Sequence, residues 1–334
     1  MNIIVPMAGM GKRMRPHTLT VPKPLIPIAG KPIVQRLVED IAAVAGSEID
    51  EVGFIIGDFG QAVEQQLLDI AKSLGAKGKI YYQTEALGTA HAILCAKESL
   101  KGPSIVAFAD TLFRADFSMN TNSDGVLWVS QIDDPSAFGV VKVNESNVIT
   151  DFVEKPKDFV SDLAMIGIYY FKSGETLRDE CQYLIDNDII NDGEYQLPDA
   201  LRNMTAKGMQ FNPGQVKDWL DCGNKNATVD SNHRVLNFIA EELSIPASVV
   251  VENSTIIQPC YVGEGVRIQN SVVGPHVSIG EGTIIENSIL KNSIVQTNSV
   301  VKQAVIDNSM IGHFVKYCQS FDDLSIGDYS TVNS

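Results

Sequence analysis

Apolar residues in the first part of the chain fall into short runs and helical stripes that alternate. The runs NIIV (2–5), EVGFIIG (51–57), KIYY (79–82) and SIVAFAD (104–110) are brief and rich in β-branched residues. Between them, PIVQRLVEDIAAVAG (32–46), GQAVEQQLLDIAKSLG (60–75) and GTAHAILCAKESL (88–100) space their apolar positions three and four apart. Strand, helix, strand in this order predicts βαβ units around a largely parallel sheet. From DGVLWVSQI (124–132) to LAMIGIYYF (163–171) the strands follow one another closely, which predicts a more antiparallel part of the same sheet. Helical patterns resume at GETLRDECQYLIDN (174–187) and again from Asn224 to about Leu243.

After Pro246 the period changes. A Val, Ile or Leu returns every five or six residues, several followed by glycine, as in Val262-Gly263, Val273-Gly274, Ile279-Gly280 and Ile311-Gly312. One aliphatic per short strand, with small or polar residues at the corners, predicts a parallel β-helix. This stretch resembles the left-handed hexapeptide-repeat family. A β-sandwich would instead need alternating strands of about 5–6 residues separated by true turns. Six-residue steps around three faces predict about 18 residues per coil and four to five coils over 250–332. The expected division is therefore 1–243, ending in a linking helix of about 224–243, and 244–334.

Composition narrows the partners. The chain has 334 residues, 44% hydrophobic and 20% charged, enough for a large core in each of two domains. Its formal net charge of −15 argues against nucleic acid, whose binding needs an extended basic face. No apolar stretch approaches the roughly 20 residues that cross a bilayer, and the N-terminus lacks a secretory pattern, so no membrane is expected and the location expected is cytoplasmic. Cys95, Cys181, Cys222, Cys260 and Cys318 form no CxxC pair, which predicts buried reduced thiols rather than a zinc site or disulfides.

Against that acidic total, VPMAGMGKRMRPHTLTVPKPL (5–25) gathers Lys12, Arg13, Arg15, His17 and Lys23 with no acid. A Walker A loop fails here, because Gly11-Lys12 is followed by Arg13 and Pro6 stands where the first glycine belongs. A dinucleotide fingerprint fails at its third glycine, which is Met14. Two readings remain. In one, Gly9 and Gly11 let backbone N–H groups approach a phosphate while Arg13 and Lys23 supply charge. In the other, the loop is a tight turn with solvated basic residues.

More of the chain bears on this choice. AGMGKRM followed by PKPLIPIAGKP resembles the signature of the sugar-1-phosphate nucleotidylyltransferases. QTEALGTAHAI (83–93) is similar to that family's base-recognition segment, DDPSAFGVVKV and FVEKP to its sugar-site strands, and MIGIYYF and DWLDCG follow in the family's order. These matches cover about residues 1–225. Two positions depart from the usual pattern: Ala109 stands before the expected metal-binding Asp where Gly is frequent, and Asn224 follows the late Asp-x-Gly where Thr is frequent.

The resemblance implies a Rossmann-like α/β nucleotidyltransferase domain with a mixed sheet, followed by the left-handed parallel β-helix. It implies transfer from an NTP, dTTP or UTP, to a sugar-1-phosphate such as glucose-1-phosphate, giving an NDP-sugar and pyrophosphate. Nucleotide contacts fall to Ala8, Gly9, Met10, Gly11, Gln83, Gly88 and Thr89, and catalysis to Arg13, Lys23 and Lys155. Gly139, Glu154, Lys155 and Gly167 are expected at the sugar phosphate, and Asp110 and Asp221 as ligands of Mg2+. Asp110 ends an apolar run, so it is expected at a strand's C-terminal end, where ligands of open α/β sheets bind. The Gln83 amide offers a donor and an acceptor in one plane, suited to O4 and N3–H of uracil or thymine. No histidine is expected to be a catalytic base, and His91 is expected to pack or cap. Two alternatives stand beside this reading: a non-catalytic regulatory or assembly subunit of the same fold, and a bifunctional uridylyltransferase/acetyltransferase. The repeat region is expected to assemble a homo-oligomer.

Overall fold

The computed structural model describes residues 1–115, 122–156 and 158–320. Contacts divide the chain into two compact units, Met1–Ile26 with Lys31–Ala227, and Pro27–Gly30 with Thr228–Ser334. The boundary falls earlier than the expected 243/244, and four residues near position 28 group with the later unit. The expected helix of 224–243 is also shorter, α6 spanning Lys225–Phe238. Its side chains from Thr228 onward account for the shift: Asn232 Oδ1 accepts from the Ala29 N–H at 3.0 Å and from the Ser278 hydroxyl at 2.7 Å.

The first unit is built on a nine-stranded sheet. Asn2–Pro6 lies at its centre, parallel to Glu51–Ile56 on one side and Ser104–Ala107 on the other, and Lys77–Tyr82 extends the parallel part. Leu163–Phe171 then pairs antiparallel with Ser104–Ala107, beginning the mixed region that Gly125–Gln131, Val140–Val143, Ile149–Val153 and Phe211–Gln215 complete. The alternation read from the sequence becomes helices α1 (Ile33–Ala45), α2 (Gln61–Ser73), α3 (Thr89–Cys95) and α4 (Gly174–Asp186). Helix α1 buries Ile33, Val34, Leu37, Val38 and Ile41 on one face and stops at Gly46, whose φ of 65° no ordinary side chain favours. A further helix, α5 (Leu197–Ala206), was not foreseen; it starts at a proline in its first turn and buries Leu197, Ala200, Leu201 and Met204.

The second unit stacks three sheets of parallel strands, a parallel β-helix. Val250–Glu252, Arg267–Gln269, Ile284–Glu286, Val300–Lys302 and Lys316–Cys318 form one face. Its coils are tighter than the expected 18 residues. Corner residues one coil apart are 17 apart in sequence at Asn253, Asn270 and Asn287, and the spacing is 16 from Ser288 to Ala304. The economy comes from the corners, which turn on single residues of positive φ: Asn253, Asn270, Asn287 and Gln303 on one edge, His276, Asn292 and Asn308 on another. Asparagine tolerates that conformation better than other non-glycine residues because its short amide bonds locally. Here the amides of Asn253, Asn270 and Asn287 also bond one another from coil to coil, at 2.8 and 3.2 Å. Inside the prism Val262, Ile268, Val273, Ile279, Ile285, Leu290 and Val295 form a single aliphatic column cluster.

Both histidines of the repeat region are engaged by neighbours. His276 stacks on His233, ring centroids 3.6 Å apart, and its Nε2 bonds Asn237 Oδ1 at 2.9 Å; His313 Nδ1 bonds the Thr297 hydroxyl at 2.8 Å. Of the five thiols, Cys181, Cys222 and Cys260 are buried and Cys95 half-buried, but Cys318 is exposed, contrary to expectation, because it lies in register with the outward-facing Lys302 and Glu286 of the coils before it. Among the described residues no helix is long and apolar enough to cross a membrane.

Candidate active site

A cleft of about 510 Å3 opens in the first unit at the C-terminal ends of the parallel strands. One wall is the loop that leaves Asn2–Pro6. Met7 N–H continues the pairing with Ile55 O at 2.8 Å, after which Ala8, Gly9, Met10 and Gly11 run along the cleft. Gly11 has φ 60°, and a Cβ there would lie 2.7 Å from Lys23 Cβ, so only glycine lets the Lys23 stem pack beneath the loop. Gly9 differs: nothing lies within 4 Å of where its Cβ would be. A Cβ at Gly9 would therefore face open space, which leaves the backbone there accessible to a ligand.

The basic residues of this loop part ways. Lys23 is buried apart from its end, which reaches the cleft and donates to Asp110 Oδ2 at 3.0 Å. Arg13 also lines the cleft, and its Nη2 would lie 3.4 Å from a Cβ placed on Gly223. The turn-with-solvated-charges reading does not account for a lysine with only 7% of its surface exposed.

Asp110 and Asp221 stand 111 positions apart in sequence, yet a short antiparallel pair joins them. Asp218–Asp221 lies against Thr111–Arg114 with Asp221 opposite Thr111, and Cys222 N–H donates to Asp110 O at 3.0 Å. Gly223 N–H donates to Asp221 Oδ1 at 2.8 Å. A Cβ on Gly223 would fall 2.9 Å from that same oxygen, so this glycine, not singled out from the sequence, leaves the carboxylate its present place. Burial raises the Asp221 carboxyl above its ordinary value; the Gly223 N–H opposes that, the neighbouring Asp110 charge adds to it, and Lys23 and Arg13 oppose it. Two carboxylates that repel each other at a half-buried spot beside an anion-suited loop fit a hard divalent cation. Among the described residues no third acid, His or Cys joins them in a cluster, which suits an ion that keeps water and substrate oxygens as ligands.

The far end of the cleft holds Gln83, Gly88 and Thr89. Gln83 follows Lys77–Tyr82, fixed by its own N–H to Ile56 O at 2.9 Å. Gly88 has φ 116°, and a Cβ there would sit 2.4 Å from Tyr195 O. This segment is clamped by one that sequence reasoning missed: Tyr195 N–H donates to Leu87 O, Ala90 N–H donates to Tyr195 O, and Leu197 N–H donates to the Thr89 hydroxyl at 2.9 Å. The Thr89 hydroxyl thus serves the start of α5, a use not expected of a nucleotide contact. Glu194, also unforeseen, comes into the cleft wall through the same clamp. The Gln83 amide is likewise engaged: Nε2 lies 3.3 Å from Gly88 O and 3.3 Å from His91 Nδ1. His91, expected to pack or cap, meets this amide instead.

The residues expected at the sugar phosphate do not line the cleft but gather beside it. A Cβ on Gly139 would lie 2.7 Å from Glu154 Oε2, so the glycine makes room for that carboxylate. Lys155 Nζ is 3.7 Å from Glu154 Oε1 and the lysine side chain is 66% exposed. Gly167, at φ 84°, accepts from Phe108 N–H at 2.9 Å, and Phe108 lines the cleft. Tyr169 links the two groups: its phenol is pushed up by burial and then by the charges of Glu154 and Asp110, and its ring meets Phe108 edge-on at 6.3 Å.

The chain is similar to several known proteins. Residues 2–237 match the family described as nucleotidyl transferase. A "Bifunctional protein GlmU" from Methanococcus maripaludis is 30% identical over 270 residues; the match covers 78% of this chain, and the chain spans 62% of that relative's length. A "Glucose-1-phosphate thymidylyltransferase" from Streptomyces antibioticus is 30% identical over 367 residues, covering 99% of both chains. Among solved structures, a UDP-glucose pyrophosphorylase complexed with UDP-glucose superposes with a TM-score of 0.59 at 26% identity, over 71% of this chain and 98% of that one.

Proposed function

Because the chain belongs to the nucleotidyl transferase family, we propose that it transfers a nucleotidyl group from dTTP or UTP to a sugar-1-phosphate, glucose-1-phosphate foremost, releasing pyrophosphate. The observation that carries this reading is the convergence of Arg13, Lys23, Asp110 and Asp221 at one end of a cleft whose other end presents Gln83 and Gly88. The thymidylyltransferase relative and the UDP-glucose pyrophosphorylase neighbour support the choice of a pyrimidine nucleotide and a glucose phosphate.

The chemistry asks little covalent work of the protein. An anionic oxygen of the sugar phosphate attacks the α-phosphorus in line, a new P–O bond forms, and the bond to the β-phosphate bridge breaks as pyrophosphate leaves. The nucleophile carries no proton at neutral pH, so neither a general base nor a Ser or Cys nucleophile is required. The open backbone at Gly9 and the Arg13 guanidinium hold the β- and γ-phosphates, while Lys23 sits where the attacked phosphate meets the bridge. Glu154 accepts hexose hydroxyls, and Lys155 receives the sugar's phosphate. Asp110 and Asp221 would hold Mg2+, whose charge offsets that of the triphosphate.

For the repeat unit we propose assembly with further copies of the chain through an outward aliphatic row: Ile289, 49% exposed, pairs in register with Val305, 75% exposed. Light scattering of a Val305→Lys variant against the unaltered chain reads this directly. A screen of pyrophosphate release, four NTPs against a panel of sugar-1-phosphates with Mg2+, tests the activity. Release with dTTP or UTP and a hexose-1-phosphate is expected; silence across the panel would refute the activity.

A further inference from the structure

The Gln83 amide has four hydrogen-bonding positions, two donors on Nε2 and two lone pairs on Oε1. Its orientation follows from what surrounds it. The Gly88 carbonyl, 3.3 Å away, can only accept, so Nε2 and not Oε1 faces it. The second N–H of Nε2 faces His91 Nδ1 at the same distance, which then accepts and leaves the ring proton on its Nε2. Both donors are taken up within the protein, and no described protein group donates to Oε1. Gln83 lines the cleft and His91 does not. His91 is carried on α3, whose register is held by the Ala90 N–H bond to Tyr195 O.

From this we infer that His91 is a positioning residue for nucleobase selection: by accepting from Gln83 Nε2 it helps lock the amide so that only Oε1 faces the base. The inference rests on the nucleotidyl-transfer reading of the cleft. An acceptor-only amide pairs with the N3–H of uracil or thymine. Cytosine presents a bare N3 lone pair at that position, so acceptor would face acceptor. A freely rotating amide has no such preference, since turning it over offers N–H groups to cytosine. Gly88 O alone leaves one donor of Nε2 unsatisfied; His91 supplies the second partner and so raises the cost of turning the amide.

The test compares UTP with CTP in the full-length protein, by calorimetric titration of the nucleotide and by kcat and KM. His91→Leu should narrow the UTP-over-CTP affinity ratio by about tenfold, with kcat for UTP near that of the unaltered protein. His91→Asn, whose Oδ1 can take the place of Nδ1, should restore the ratio. A purely structural role would lower affinity for both nucleotides together. An unchanged ratio in His91→Leu overturns the inference, as does an equal loss in His91→Asn or a starting protein that binds UTP no better than CTP. Failure of pyrophosphate release with every sugar phosphate would instead sink the activity, while the binding ratio still decides the role of His91.

Discussion

Replacing Gly88 with alanine puts the Gln83 end of the cleft under a load that can be worked out from its neighbours. At φ 116° an L-residue is strained, at a cost of about 1–3 kcal/mol. The new Cβ would also stand 2.4 Å from Tyr195 O and 2.7 Å from Tyr195 N, both backbone atoms. To bring the closer contact out to 3.0 Å the Tyr195 peptide must recede by about 0.6 Å. That peptide is held on both sides, by Tyr195 N–H to Leu87 O at 2.8 Å and Ala90 N–H to Tyr195 O at 2.9 Å, and each bond weakened costs about 0.5–1.5 kcal/mol. The whole change should cost about 2–6 kcal/mol. Gly75 is the control: its φ is 75°, but nothing lies within 4 Å of its Cβ position, so Gly75→Ala should cost only the conformational part, about 1–2 kcal/mol. Urea denaturation measures both. The KM for dTTP or UTP should rise about tenfold in Gly88→Ala and stay level in Gly75→Ala, since only the former moves the carbonyl that holds Gln83. Equal stability losses with an unchanged KM would refute the argument that Tyr195 clamps this loop.

Asp110→Asn and Asp221→Asn should each lower the Mg2+-dependent rate by at least about two orders of magnitude, read by pyrophosphate release; turnover at the original rate would remove that carboxylate from the site. Arg13→Ala and Lys23→Ala should reduce NTP use strongly while Arg13→Ala leaves the denaturation midpoint nearly unchanged, because Arg13 is exposed and Gly11 sets the loop's shape. Asp40, on α1, carries a pH signature: burial pushes its carboxyl from 3.8 up to about 7, Arg36 opposing and Glu39 adding. The folded state then holds a proton that the unfolded chain has released, so this carboxyl's contribution to stability should be fullest below about pH 4 and fall as pH climbs to about 7. Asp40→Asn should flatten that fall; an unaltered pH–stability curve would show the carboxyl titrating normally.

The succession of strands and helices and the loop of Gly9, Gly11, Arg13 and Lys23 were legible because each depends on local pattern: an apolar run, a glycine, a charge beside a proline. Asp110 was likewise visible as the end of a run. What brings Asp221 to it was not, since the pairing of Thr111–Arg114 with Asp218–Asp221 is set by tertiary register across a hundred residues. Thr89 and Glu194 illustrate the same limit. The hydroxyl of Thr89 is claimed by Leu197 N–H, and Leu197 opens a helix whose apolar stripe is short and preceded by a polar turn. Gln83 was expected to offer a base both a donor and an acceptor, but its donors are used up by Gly88 O and His91, a fact of side-chain orientation. In the repeats, counting aliphatics alone overestimated the coil; the asparagines at 253, 270 and 287 carried the true spacing all along.

Those asparagine corners also govern how the prism can change length. Each coil bonds only the coils above and below, so a cut from one corner to its equivalent, Asn270 to Asn287, would rejoin matching geometry and leave a shorter prism with its columns in line. A cut out of step with the corners would place an aliphatic where the chain must turn left-handed and an asparagine in the dry interior. Genetic duplication or loss of segments in this region is thereby restricted to whole coils, and the unit grows or shrinks in discrete steps, as a stack of tiles does.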